Sequence, residues 1–290
     1  MQRLVGAGLI LLSAASFGTL AIFGRYAYAA GLDTFTLLAI RFSVSALLML
    51  VLLAFRRQPL PRGPILIQLI GMGALGYVGQ SFSYLSAIKY ASAGLVALLL
   101  YLYPAIVALL SALIYKERFT PLKINALVLA TLGAALTANP QGGSWTGILF
   151  ALAAACIYSI YIIVGAGVLG KVSAIQSSSV IFSSAGVVYL ILSLINGPHP
   201  PRDLAGWGWM SAIILVATVI PVVTFLAGMR RIGPTNASML STIEPVVTVA
   251  LAAILFGEAL PPVTLLGGGL ILFAVLLLAR GELAIARSPE

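Results

Sequence analysis

PAIVALLSALIYKERFTP, residues 104–121, returns as PVVTVALAAILFGEALPP, residues 245–262. The two stretches share the spacing Pro-x12-Glu-x3-Pro at an offset of 141 residues, so that Pro104 maps to Pro245, Glu117 to Glu258 and Pro121 to Pro262. The same offset pairs Ala14 with Ala155, Gly24 with Gly165 and Ser43 with Ser184, and it sets Phe17 against Tyr158 and Lys89 against Arg230. Matches of Gly and Ala are cheap in so biased a composition, whereas a fixed spacing of two prolines and an acid is not. The chain reads as one unit used twice, over 1–140 and 141–290.

Outward from that pair, the composition names the solvent. Of 290 residues 61% are hydrophobic and 8% charged, where a soluble domain carries about 25% charged residues. Runs such as Leu265–Ala279 are apolar throughout, which disfavours a barrel, whose strands alternate apolar and polar residues. A spanning helix needs about 20 apolar residues. Spans are predicted at about 4–29, 34–55, 64–88, 92–115, 121–138, 145–168, 173–195, 205–229, 235–256 and 262–279. Arg56-Arg57-Gln58-Pro59, the Asn139–Gly143 segment and Asn196-Gly197-Pro198-His199-Pro200-Pro201 punctuate them. The expected fold class is all-α, ten transmembrane helices in two five-helix repeats. Five is odd, so the second repeat enters the bilayer with opposite orientation. Such inverted duplication puts a solute site near the midplane, between the halves.

Charge gives the orientation. The net charge is +9, but the basic residues sit in short connections between apolar runs, so membrane topology explains them and nucleic acid is not expected as a partner. With the N-terminus inside, Arg3, Arg56, Arg57, Arg62, Lys116, Arg118, Lys123, Lys171, Arg230, Arg231, Arg280 and Arg287 fall on one side, against Arg25, Arg41, Lys89 and Arg202 on the other. Both termini are therefore expected in the cytoplasm. The apolar run after Arg3 reaches about Phe23, long for a signal peptide, and is read as a retained first span. Cys156 is the only cysteine, so no disulfide forms within the chain.

Several function classes drop out. The single histidine, His199, lies in a Pro-rich loop, and the sequence holds neither an acid pair nor a cysteine pair suited to a metal. No GxxxxGK[ST] phosphate loop appears, nor the ring of like charge expected of a channel filter. No cofactor, no metal and no enzymatic activity are expected. The partners expected are a small-molecule substrate and the lipid bilayer, with the chain a monomer or a weak homodimer.

Among the acids, Glu244 alone is predicted mid-span. An ionised acid there costs about 3 kcal/mol or more unless paired or wet. Two readings stand: it protonates and couples transport to a proton gradient, or it is a structural acid serving backbone freed by Pro245 or pairing with Arg41. Arg41, about two turns inside span two, is read either as a fork for a substrate carboxylate or as a side chain snorkelling to the interface. Candidate pocket residues recur on single helix faces: Tyr77, Gln80 and Tyr84 on span three, Tyr101 on span four, Tyr158 on span six, Ser238 and Thr242 on span nine, and Phe17 on span one. Tyrosine offers an apolar body with a polar tip, which suits a mixed solute; ordinary helix packing is the alternative. Pro104 and Pro245 fall inside predicted spans and are candidate hinges or gates.

Glu244-Pro245-x12-Glu258, Pro104-x12-Glu117, and the strings Ser241-Thr242-Ile243-Glu244-Pro245 and Leu255-Phe256-Gly257-Glu258 resemble the drug/metabolite transporter superfamily, in its EamA-like branch of ten-span exporters. The resemblance covers nearly the whole chain. It implies export of small metabolites, and within the branch the chain is most similar to aromatic and neutral amino-acid exporters of the YddG kind. Export of multidrug or cationic compounds is the alternative it leaves. The first half departs from the pattern, because Tyr103 stands where the second half has Glu244.

Overall fold

The computed structural model describes residues 2–91, 96, 99–116, 120–137, 144–256 and 261–287. Glu117 and Glu258, read from sequence as span-end anchors, lie outside the described residues, as do the side chains of Arg25 and Lys89. All regular elements among the described residues are helical. In chain order they are α1 (Gln2–Gly18), α2 (Leu20–Ala29), α3 (Thr34–Phe55), α4 (Pro64–Gly71), α5 (Val78–Tyr90), α6 (Tyr103–Tyr115), α7 (Pro121–Thr137), α8 (Trp145–Leu169), α9 (Ala174–Asn196), α10 (Leu204–Ile214), α11 (Ile220–Ile232), α12 (Pro234–Leu240), α13 (Glu244–Phe256) and α14 (Pro262–Arg287). Among the described residues seven stretches are long and apolar enough to cross a bilayer: Gln2–Ala29, Thr34–Phe55, Pro64–Tyr84, Trp145–Val168, Ala174–Asn196, Leu204–Ile232 and Pro234–Leu255. Shorter apolar helical stretches, Tyr103–Tyr115, Pro121–Gly133 and Leu265–Ala274, fall where the fourth, fifth and tenth spans are expected. The chain is a polytopic helical membrane protein.

Polar residues at the ends start the helices where lipid gives way to water. Asp33 caps α3, accepting from the backbone N–H groups of Phe35 (2.8 Å) and Thr36 (3.0 Å). Asp203 caps α10 through Gly206 N–H at 2.7 Å. Ser173 and Gln176 form a reciprocal capping box on α9.

Several spans are broken rather than continuous. A π-helical turn, Met72–Tyr77, joins α4 to α5, and another, Leu215–Val219, joins α10 to α11. A 3-10 turn, Ser241–Ile243, separates α12 from α13. Pro104, Pro221 and Pro245 each sit in the first turn of the helix that follows a break, where the missing N–H costs nothing. Pro104 restarts the helix after the turn at 101–102, whereas Pro221 and Pro245 follow a π turn and a 3-10 turn within stretches, Leu204–Ile232 and Pro234–Leu255, that stay helical throughout.

Packing couples the two halves. α3 lies against α9 in antiparallel register: Thr36 meets Ser193, Gly186 packs on the backbone of Ser43, and Gln58 and Pro59 bond Ser173 and Gln176. α1 runs antiparallel to α11, and α5 to α8. A Cβ on Gly6 would lie 2.7 Å from Ile232 and 2.8 Å from Arg231; one on Gly147 would lie 2.7 Å from Ala91 and 2.9 Å from the Tyr90 backbone. These two close approaches are images of each other at the offset of 141. α7 packs on α14, with Gly133 against Gly267 and Ile271. The core runs between α3 and α9, where Phe42, Phe182 and Tyr189 are fully buried.

Candidate functional site

The broken backbone brings aromatic side chains together in the bundle interior. Tyr77 ends the first π turn, where its ring meets Phe42 edge-on at 5.1 Å and Tyr161 edge-on at 5.7 Å. Tyr161 stacks on Tyr158 at 6.1 Å, Tyr158 meets Tyr103 at 4.9 Å, and Tyr103 lies 6.4 Å from Tyr101. The chain of rings crosses α3, the π turn before α5, the turn before α6, α6 and α8. Tyr103 is anchored: its hydroxyl donates to the carbonyl of Ser238 at 3.3 Å, and its own carbonyl accepts from Ser159 at 3.3 Å.

Glu244 faces this row. It opens α13 directly after the 3-10 turn, and its carboxyl lies within electrostatic reach of the phenols of Tyr77, Tyr84, Tyr101, Tyr103 and Tyr158. Glu244, Tyr77, Gln80, Tyr84, Tyr158 and Phe17 are each half-buried. Tyr103 and Glu244 occupy equivalent places in the repeat, each the first residue of the helix after a break. Sequence reasoning noted Tyr103 only as a missing acid; its position before Pro104, matching Glu244 before Pro245, is the signal that would have put it in the site. Tyr161, which the sequence offers beside Tyr158 on span six, joins the row as well.

The other candidates separate. Ser238 and Thr242 are buried, and their hydroxyls donate to their own helix, to Thr235 O at 2.8 Å and Met239 O at 2.7 Å; what Ser238 offers Tyr103 is its carbonyl. Tyr84 belongs to a second cluster with Ala87, Val96 and Ala151. Phe17 packs on the main core. Arg41 is buried, not at the interface: its Nε donates to Thr218 Oγ1 at 2.6 Å, an Nη to Ala217 O at 3.2 Å, and its guanidinium lies 5.0 Å from the centre of the Phe42 ring. It serves carbonyl and hydroxyl groups of the second π turn, and among the described residues no ion pair joins it to Glu244. Among the described residues no group of three His, Cys, Asp or Glu comes together as metal ligands.

A helical bundle crossing the bilayer, with broken helices meeting at an acid among tyrosines, has the construction of a solute carrier. The chain belongs to the EamA-like transporter family, whose pattern matches it twice, over residues 4–139 and 145–280. It is similar to an uncharacterized transporter of Archaeoglobus fulgidus, 28% identical over 275 residues and covering 95% of this chain and 96% of that protein. The uncharacterized transporter YcbK of Bacillus subtilis is 23% identical, covering 94% and 92%. The uncharacterized inner membrane transporter YedA of Escherichia coli is 25% identical, covering 86% and 83%. A solved crystal structure superposes with a TM-score of 0.82 at 22% identity over 95% of this chain and 97% of that one, a likeness of fold. The protein is thus a multi-pass membrane transporter and not an enzyme.

Proposed function

We propose that the protein is a secondary active or facilitative transporter that exports small metabolites, amino acids first among them, by alternating access. One observation carries the substrate class: a single carboxyl, Glu244, opens onto a row of tyrosines, and no cation among the described residues is paired with it. An ammonium group fits there, held by the carboxyl and by the faces of the rings, while the apolar part of an aromatic or neutral amino acid lies along the tyrosines. A cationic amphiphile is the second reading, favoured by the engagement of Arg41, which lies beside Phe42 near the Tyr77 end of the row but whose guanidinium is held by Thr218 and Ala217. Coupling to protons at Glu244 belongs to the same proposal.

The halves 1–140 and 141–290 are taken as inverted repeats. Support comes from the antiparallel pairing of α3 with α9, helices that the offset of 141 exchanges. An exchange that reverses helix direction has its axis in the membrane plane. The bacterial inner membrane is the proposed location, in keeping with the name of the YedA relative, with both termini cytoplasmic and the chain a monomer or weak homodimer.

Purified protein in liposomes, given radiolabelled amino acids and cationic dyes with and without a pH gradient, tests the proposal. Saturable amino-acid flux is expected, and Glu244→Gln is expected to reduce it at least about tenfold, the equivalent of ~1.4 kcal/mol. Flux of dyes alone would favour the second reading, and unchanged proton dependence in Glu244→Gln would end the coupling proposal.

A further inference from the structure

Spans one and six hold equivalent places in the two halves, but only span one is interrupted. α1 ends at Gly18 and α2 begins at Leu20. Between them Thr19 N–H bonds Ser16 O at 3.1 Å, a tighter turn than the α-helix makes, and its hydroxyl donates to the same carbonyl at 2.7 Å. At the equivalent residue, Ile160, α8 continues without a break from Trp145 to Leu169.

The consequence appears beyond the break. α2 lies on α10, where Tyr26 stacks on Trp209 with 4.2 Å between ring centres and 9° between planes, and Phe23 packs beside them at 6.0 Å. The offset of 141 carries Phe23, Tyr26 and Trp209 to Val164, Gly167 and Gln68. No aromatic stack forms there. A groove of about 360 Å³ runs between α4 and α8 instead, lined by Gln68, Met72, Leu75, Ile160, Tyr161 and Val164 among others. Tyr161 is shared with the tyrosine row, so the groove reaches the wall of the candidate site. Its hydroxyl is buried without a hydrogen-bond partner.

The interruption in span one also touches the site. The Thr248 hydroxyl lies 3.0 Å from Gly18 O and 3.2 Å from Glu244 O. A Cβ on Gly18 would come within 3.0 Å of Glu244 O. We infer that the Phe23–Tyr26–Trp209 stack is a closed gate on the face bearing Gly31, that the groove between α4 and α8 is its open counterpart on the face bearing Gly63, and that the Gly18–Thr19 break, tied to Glu244 through Thr248, is the hinge that exchanges the two. The inference rests on the transport reading of the site. Two interfaces built from equivalent residues, one filled and one gaping, are two states of one packing, and a bistable packing of this kind exchanges by rocking.

Spin-label distances test it in the full chain, in liposomes, on a Cys156→Ala background. Ala29→Cys with Gly208→Cys spans the gate, and their equivalents, Gly170→Cys with Ile67→Cys, span the groove; all four positions are exposed. Phe23→Val with Tyr26→Gly and Trp209→Gln gives the gate the residues its counterpart has. The gate distance is expected to lengthen and the groove distance to shorten, each by on the order of 5 Å, about one helical turn. A longer gate distance with an unchanged groove distance would overturn the inference, because the stack would then be local packing. If that variant does not fold, the reverse graft, Val164→Phe with Gln68→Trp, is expected to close the groove and open the gate, and unchanged distances there overturn it equally. Thr248→Val is expected to move both distances in opposite directions while Thr248→Ser leaves them in place; a Thr248→Val protein identical to the parent removes the tie to the site. No solute is needed for the measurement, so a protein that carries nothing would sink the transport reading and leave the gate standing.

Discussion

Tyr161 and Tyr189 are both almost fully buried, but their hydroxyls differ. Tyr189 shares a hydrogen bond with Ser81 and donates to Val78 O at 3.2 Å, which ties α9 to the start of α5. Tyr161 has no partner for its hydroxyl. Tyr189→Phe is expected to destabilise the protein by about 1 kcal/mol and leave Ser81 to bond only its own helix. Tyr161→Phe is expected to leave the melting temperature unchanged or raise it, since a buried hydroxyl without a partner costs the fold. If the solute supplies that partner, the same Tyr161→Phe protein raises KM with little change in maximal flux. Thermal melts in detergent and liposome flux separate the two effects. Sequence spacing singled out Tyr158 and Tyr77 as candidates, but the partners of the Tyr189 hydroxyl, Ser81 and Val78, lie 108 and 111 positions away and left no local trace. Arg41 was misjudged for the same reason: the residue that takes it off the interface, Thr218, is 177 positions distant.

At the scale of the element, the α3 cap joins local chemistry to an outer loop. The Asp33 carboxyl is partly desolvated, which raises its pKa, but hydrogen bonds from Thr36, Phe35 and the His199 segment outweigh that and hold it below the ordinary 3.8. His199 Nδ1 lies 3.4 Å from the same carboxyl, and its backbone N–H donates to Thr36 Oγ1 at 2.9 Å. A folded value below the unfolded one stabilises above the ordinary carboxylate range and loses that contribution as pH falls through the lowered value. The melting temperature is therefore expected to fall below about pH 4. Asp33→Asn, which keeps an acceptor at the cap, is expected to lose this acid sensitivity, and Asp33→Ala to cost about 1 kcal/mol at neutral pH. The helices themselves were legible as apolar runs bounded by Pro, Gly and Asn. The π turns were not: Leu215–Val219 carries no breaking residue and only Pro221, just after it, hints at a change, while Gly73 and Gly76 within Met72–Tyr77 do not tell a π turn from an ordinary helical glycine. Prolines 104 and 245, read as hinge candidates inside spans, each lie just after a local change in the backbone, the turn at 101–102 and the 3-10 turn Ser241–Ile243.

Across the whole molecule, the duplication is legible twice, once as a spacing of residues and once as a pair of matched contacts. Gly6→Leu and Gly147→Leu are expected to destabilise alike, by about 1–3 kcal/mol each, since each puts a Cβ under 3 Å from the facing helix, from Ile232 and Arg231 side-chain carbons at Gly6 and from the Ala91 Cβ and Tyr90 backbone at Gly147. Markedly unequal costs, measured by thermal melts of the two variants, would speak against equivalent interfaces. The basic residues predict that reporter domains fused to either end stay on the cytoplasmic face; an alkaline phosphatase fusion active at the C-terminus would reverse the orientation proposed above. The difference between the two mouths was invisible in sequence, because Trp209 and Gln68 register as two unrelated residues until the fold sets them in equivalent places.

α9 carries a run of hydroxyls, and most of them turn inward on the helix itself: Ser177 to Ser173 O, Ser179 to Ile175 O, Ser183 to Ser179 O and Ser184 to Val180 O, all within 2.9 Å. A ribosome completes α3 more than a hundred residues before it reaches α9, so each must rest in lipid before the other arrives. Hydroxyls already satisfied within their own helix ask nothing of the surrounding hydrocarbon, and so the most polar inner surface of the second half tolerates the wait for its mate during membrane insertion.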